Sequence, residues 1–393
     1  MFIYFLILIV AFIYYILAKK TNNNKSPVLL ALFFTYCGIF IGLGDMIGGY
    51  DRYIYGEMFD TVADATDAGG GYSRLMFLVN GQEYGYFLWE ILVSLVTANR
   101  YMFILISSLL MYFLYYKAFR KYLDDYPLAC IVFLGLFFYF SITYMRQALA
   151  VGIAWQGVKY IYDRKAVKFF LIVALAYSFH NSALVFAVAY FLPIKKFSKE
   201  AIILFLIVCL IIGVSSIPTT LLAGVGDIQG MSERTGKYQD EMSGFRIEYL
   251  LEVVFFIWLF FKNYDFFDSK QKKHLVFLNL SVIFCGILLV FIRFGQGGRF
   301  GWYFFFGLIY TLTTLASQCR LRIYNKPVVL LLSVLLYVRI TFLWAFNLTP
   351  YKTFLTDGVP SGDFWIYEKY EYDYRYTDDK FVRPMFRIPT HLL

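Results

Sequence analysis

The sequence predicts an all-α polytopic integral membrane protein, and three observations carry that expectation. Only 16% of the 393 residues are charged, against about 25% in a soluble domain, which is too few to cover a water-facing surface. Apolar runs near the length that crosses a bilayer recur from end to end, in a chain that is 60% hydrophobic. The basic residues gather in short connections between those runs. A closed barrel would instead show short alternating segments, and these runs are continuous.

The connections set the threading. Six of them, at 19–25, 117–121, 159–168, 195–199, 262–273 and 320–326, are rich in Lys and Arg, and the positive-inside rule assigns them to the cytoplasm. Spans then fall at 1–17, 28–44, 101–117, 128–144, 147–162, 167–178, 181–193, 200–216, 247–262, 275–292, 301–317 and 328–345. That makes about twelve transmembrane helices, with the N- and C-termini outside. The first run has no basic leader and no small-residue cleavage site, so it reads as a retained helix. Residues 86–98, "YFLWEILVSLVTA", are apolar but short and carry Glu90. Counting them as a crossing would turn the basic 117–121 loop outward, so they are expected to form an interfacial or re-entrant helix on the outer side. The pair 167–178 and 181–193 is short for full crossings and fits tilt, local thinning or a broken helix. The chain reads as a single transmembrane domain over 1–345, with external loops at about 45–100 and 217–246. An external aromatic-rich tail, 346–393, follows.

Other chemistries find little support. The five cysteines are scattered one to a hydrophobic run, as buried thiols are. The three histidines, His180, His274 and His391, stand outside any spaced His/Asp/Cys cluster, so no transition-metal site and no cofactor is expected. The net charge of +9 resides in the interhelical loops and does not indicate nucleic acid.

Some charges lie where sorting disfavours them. Arg146, Arg293, Arg299 and Arg339 fall at or near the expected outer ends of spans. Snorkelling to headgroups accounts for any one of them. Four on one side point to an electropositive pocket, and arginine binds phosphate oxygens in a planar, bidentate fashion. Arg146 also opens a new apolar run, where orphan backbone N–H groups and the helix dipole favour an anion. The glycines of "RFGQGGRFGWYFFF" at 293–301 would let backbone approach such an anion. On the same expected face lie His180, in "YSFHNSALVF", and Asp51, among tyrosines in "GGYDRYIYGEMF". Glu83, in "GQEYGYF", joins them. The tail segment "FWIYEKYEYDYRYTDDKFVRP" alternates aromatic with charged residues and reads as extended, or as an aromatic belt on the membrane surface.

Taken in order, "GGYDRYIYGEMF" with Asp51, Tyr55 and Phe59 in step, "EYGYFLWEIL" from Glu83, "MRQALA" at 145–150, "SFHNSALVF" around His180 and a late "RFGWYFFF" make a set. In this set the chain resembles the EpsG family of Wzy-like polysaccharide polymerases. It departs from the expected pattern at Asn181, where proline is anticipated. The resemblance implies transfer of a polyprenyl-diphosphate-linked glycan onto another lipid-linked repeat unit, at the outer face of a bacterial cytoplasmic membrane. Arg146, Arg293, Arg299 and Arg339 would stabilise the departing diphosphate, and His180 or Asp51 would take the acceptor proton. Gln147, Tyr55 and Glu83 would orient phosphate or sugar. A flippase and a chain-length regulator would be partners. Three other readings stay open on the residues alone: a flippase for the same lipid, another membrane glycosyl- or acyltransferase, and a non-catalytic chain-length or scaffold protein.

Overall fold

A computed structural model of the chain describes residues 2–44, 50–73, 75, 83–218, 220, 244–268, 270–295, 297–319, 325–344, 351, 353, 355 and 383–387. Most of the expected loop 217–246 and most of the tail 346–393, with its aromatic alternation, lie outside these residues. Among the described residues the fold is helical throughout, with one isolated antiparallel bridge between Gly44 and Thr353. Among the described residues, five helices are long and apolar enough to cross a membrane: Phe2–Lys20, Arg100–Tyr122, Lys272–Val290, Gly297–Gln318 and Asn325–Leu343. The remaining expected spans are helices that are shorter or interrupted. The chain divides into two compact units.

The first unit comprises Met1–Gln156, Ala174–Asn181 and Val328–Leu393. It opens with a hairpin of α1 (Phe2–Lys20) and α2 (Pro27–Leu43). Ser26 caps α2 by accepting the Leu29 N–H, and Pro27 sits where its missing N–H costs nothing. Helix α5 (Arg100–Tyr122) runs antiparallel to α2. Gly38 faces Leu109 and Gly42 faces Leu105, so close that a Cβ on Gly42 would lie 2.9 Å from the Leu105 Cα. The chain between them therefore leaves and returns at one end of the pair. That stretch holds α3 (Tyr50–Asp67) and α4 (Tyr84–Ser94). Eleven residues of α4 span about 16 Å, about half of what a bilayer core requires. At the opposite end, Lys19 pairs with Asp125 at 2.6 Å and Lys25 with Asp124 at 2.5 Å, tying the α1–α2 turn to the turn after α5.

Helix α3 is a departure from expectation, since its residues read as part of a polar external loop. Its five acidic residues depress hydropathy, yet Tyr55, Phe59, Val62 and Ala63 recur at helical spacing and are buried. Phe59 stacks on Phe103 of α5, with ring centroids 4.3 Å apart. Asp60 pairs with Arg100 beside it. A search for bilayer-length hydropathy overlooks a helix whose apolar stripe is one-sided.

The expected span at 128–144 is also broken. It resolves into α6 (Tyr126–Leu136), buried along its whole length, and the single turn α7 (Phe140–Thr143). Tyr144 then interrupts the helix at φ −96°, ψ 57°, and α8 (Met145–Gln156) begins. Tyr115 of α5 donates to the Ala148 carbonyl at 2.9 Å. Fifteen residues separate Tyr115 from the start of α5, about 22 Å of helix, so α8 starts part-way down the bundle. Helix α9 (Val158–Tyr162) belongs to the second unit, and α10 (Ala166–Phe179) ends in the first. The last long helix, α16 (Asn325–Leu343), is fastened by the Tyr337 hydroxyl donating to the Tyr4 carbonyl at 2.6 Å and by a Tyr139–Thr341 contact.

The second unit, Gly157–Val173 and Ser182–Pro327, is built on α14 (Lys272–Val290), buried from Leu275 to Leu289. After a 3-10 turn at Asn181–Ala187 come α11 (Val188–Phe191), α12 (Lys199–Val214) and α13 (Ile247–Lys262). A 3-10 segment, Gly297–Phe304, leads into α15 (Phe305–Gln318), which packs on α14. Phe277 and Tyr310 stack at 3.9 Å and Ser281 meets Thr311 at 3.1 Å.

Candidate functional site

In the first unit, four of the quoted motifs meet. Glu83 precedes α4 without using its side chain as a cap. Its carboxylate instead accepts from Arg146 Nη1 at 2.7 Å and from the Asn181 backbone N–H at 3.3 Å. The bond from Asn181 is one a proline could not donate. The guanidinium of Arg146 lies 5.2 Å from the Tyr55 ring centroid and 5.8 Å from that of Tyr86, within cation–π range. The ion pair is largely dry: the Arg146 and Glu83 side chains are 16% and 6% exposed. Charges so placed need one another, because the desolvation of either would be uncompensated alone.

The close approach of α10 to α4 rests on Gly85. A Cβ there would sit 2.9 Å from the Ser178 Cβ and 3.1 Å from the Phe179 ring, both on the last turn of α10. His180 closes that turn by donating its N–H to Ala176 O at 3.0 Å, and Asn181 follows directly. Thus α3 delivers Tyr55, the start of α4 delivers Glu83 and Tyr86, α8 delivers Arg146, and the chain leaving α10 delivers Asn181, with His180 next to it in sequence.

Polar atoms remain unmatched in this cluster. Arg146 Nε, the Tyr86 hydroxyl and both polar atoms of the Asn181 carboxamide are buried without a hydrogen-bond partner. Each such group costs about 1–3 kcal/mol, and native folds leave few of them. Several around one ion pair fit a site that receives a ligand rich in oxygen. Arg146 is also the second residue of α8, so it stands in the turn where a helix presents backbone N–H groups.

The other expected residues divide as follows. Gln147, buried, neighbours Arg146 in the first turn of α8. Asp51 stands in the first turn of α3, one turn before Tyr55. Arg339 is exposed on α16, and Trp344, just past the end of that helix, touches Phe140 and Tyr144. Arg293 and Arg299 belong to the second unit. There Arg293 donates to the Val214 carbonyl at 3.3 Å and Arg299 lies over Trp302 at 5.6 Å. The glycine-rich turn carrying them is held by Tyr249, whose hydroxyl accepts from Gly298 N at 3.1 Å and reaches Gly295 O at 3.4 Å.

Sequence reasoning passed over Tyr86 and Arg52. Tyr86 lay inside the quoted "EYGYFLWEIL", four residues before Glu90 and on the same helical face. Arg52, 2% exposed, donates to the carbonyls of Ile41 at 2.8 Å and Gly44 at 2.6 Å. It caps the end of α2 and anchors the start of α3, where Asp51 had drawn attention instead. Among the described residues no group of three or more His, Cys, Asp or Glu is placed to hold a metal.

A multi-helix membrane protein with a largely buried arginine–carboxylate centre is the class these features define. The chain belongs to the EpsG family, which it matches over residues 39–353, a family of Wzy-like exopolysaccharide polymerases. Comparison with curated proteins and with solved structures gives no significant match.

Proposed function

We propose that the protein is a membrane glycosyltransferase. It transfers a glycan from a polyprenyl-diphosphate carrier onto the next lipid-linked repeat unit, at the outer face of a bacterial cytoplasmic membrane. The observation that carries this reading is Arg146, at the recessed start of α8, paired with Glu83 and ringed by unmatched polar atoms. In the reaction, an acceptor hydroxyl forms a bond to the anomeric carbon while the bond from that carbon to the diphosphate oxygen breaks. The diphosphate leaves with its charge met by Arg146 and the α8 N-terminus. The hydroxyl proton passes to a base, for which Glu83 joins His180 and Asp51 as a candidate. Gln147, Tyr55 and Tyr86 border the sugar, and Arg293, Arg299 and Arg339 bind anionic lipid, each within its own unit.

An outward orientation draws support from the first unit. Its Lys–Asp pairs join two turns at one end, and α3, α4 and the start of α5 gather at the other. The threading that follows keeps twelve crossings, with α4 as the dipping segment and both termini outside.

The test is reconstitution of the purified protein in vesicles with its lipid-diphosphate-linked repeat unit, followed by gel separation of the glycans. Wild type is expected to produce a ladder of multiples, and Arg146→Ala and His180→Ala only the single unit. Movement of labelled lipid between leaflets without a ladder would mean a flippase instead.

A further inference from the structure

We propose that Arg383–Arg387, beyond the family-matched residues, is a strap that positions the Arg146 site by clamping α3 to the α4–α5 turn. The inference rests on the polymerase reading only for its kinetic consequence.

The contacts are specific on both sides. Arg383 pairs with Asp64 at 2.8 Å, and Arg387 pairs with Asp67 while reaching the Ala63 carbonyl at 3.3 Å. Those three partners lie on α3. Toward the turn, the Arg387 N–H donates to the Val96 carbonyl at 2.7 Å, and Asn99 Nδ2 donates to the Arg383 carbonyl at 3.1 Å. Asn99 is itself the cap of α5, its Oδ1 accepting from the Tyr101 N–H at 2.9 Å. The five-residue segment thus makes side-chain and backbone bonds to two elements at once.

Those elements bear the site. Helix α3 carries Tyr55 nine residues before Asp64, and α4 carries Glu83 and Tyr86 and ends at the turn that the strap holds. On α3 the acids Asp60, Asp64 and Asp67 recur at helical spacing, paired with Arg100, Arg383 and Arg387 in turn. The first pair is internal to the core helices, while the other two come from the C-terminal segment. Asp64 and Asp67 are 64% and 53% exposed, so salt screens their pairs readily. The backbone bond to Val96 then depends on marginal contacts, and the chain's own tether keeps the segment at high local concentration. A strap held in this way is released by modest changes. It would govern how well the donor and acceptor are held more than the chemistry itself.

The experiment compares full-length wild type in lipid nanodiscs with Arg383→Glu/Arg387→Glu. A second variant is the charge swap, Asp64→Arg/Asp67→Arg with Arg383→Asp/Arg387→Asp. Hydrogen exchange and polymerisation kinetics are read on each. The reversal is expected to speed exchange by about tenfold over 383–387 and 95–99, and measurably over 50–67 and 83–94. It should raise KM for the lipid-linked glycan about fivefold while leaving kcat within about twofold. The swap should restore both, and high salt should bring wild type toward the reversal. Unchanged exchange, exchange confined to 383–387, an unaltered KM or a swap that restores nothing would each overturn the strap. A wild type that makes no polymer sinks the polymerase reading, and exchange over 50–67 and 83–94 then decides the strap by itself.

Discussion

Arg146 in the first unit and Arg293 in the second were expected to play one role, and their surroundings differ in kind. Arg146 lies at a helix start inside its unit, against a carboxylate and two tyrosine rings. Arg293, on the glycine-rich turn, has a backbone carbonyl as its partner. A buried guanidinium needs a counter-charge before any ligand arrives, so Glu83 is part of what makes Arg146 possible. Near the surface that requirement relaxes, because water and headgroups solvate the cation. An arginine that must be compensated is held in one place and suits the reacting centre. A solvated one can follow a ligand as it enters.

The sharpest way to break this comparison is to remove the guanidinia one at a time. Arg146→Ala should lower polymer yield by about 10²- to 10³-fold at normal expression, the loss typical of a charge-stabilising donor. Equal losses from Arg293→Ala would erase the distinction. Glu83→Ala should cost about 3–5 kcal/mol of stability by leaving Arg146 uncompensated. A thermal melt of the detergent-purified protein would register this as a clear drop in Tm. The double variant Glu83→Ala/Arg146→Ala should regain part of that loss, which a mere packing defect at Glu83 would not permit.

Smaller effects refine the picture. Gly85→Val should destabilise by about 1–3 kcal/mol, because the new side chain meets Ser178 and Phe179 and pushes the end of α10 off α4. Its activity loss should exceed what the melt explains, since Glu83 and Asn181 would separate. Single variants Arg293→Ala and Arg299→Ala should each lose about tenfold, or 1.4 kcal/mol in transition-state terms, and mainly through KM. Arg339→Ala, at an exposed position on α16 where water already solvates the cation, should lose the least of the three, about twofold. A polymer assay on the three variants in parallel checks the ranking.

Much of this was readable in advance, for identifiable reasons. The helices at Phe2–Lys20, Pro27–Leu43, Ile247–Lys262 and Lys272–Val290 fall close to their expected spans, since apolar composition over a helix length is a local property. The quoted motifs around Glu83, Arg146 and His180 contain the residues that meet. What could not be read was the meeting itself. Glu83 and Arg146 are 63 residues apart and Glu83 and Asn181 are 98 apart, so no periodicity links them. Helix α3 was hidden by its acids, three of which have arginine partners on α5 and in the C-terminal segment. The break at Phe137–Tyr144 contains no proline or glycine to announce it. There the rings of Phe137 and Tyr139 pack on Tyr115 and Tyr337, and side-chain packing prevails over helix continuation.

By itself the sequence determined that this is a helical membrane protein, roughly where its helices run, and which short motifs carry its polar residues. Those are consequences of how each stretch partitions between water and hydrocarbon. Only the tertiary structure decided that Arg146 is recessed, that Glu83 compensates it, and that Tyr55, Tyr86 and Asn181 complete the setting. It also decided that a segment at 383–387 reaches back to the helices holding them. These are contacts between distant parts of the chain, and the energy of a buried charge depends on what packing brings beside it, not on the residues next to it in sequence.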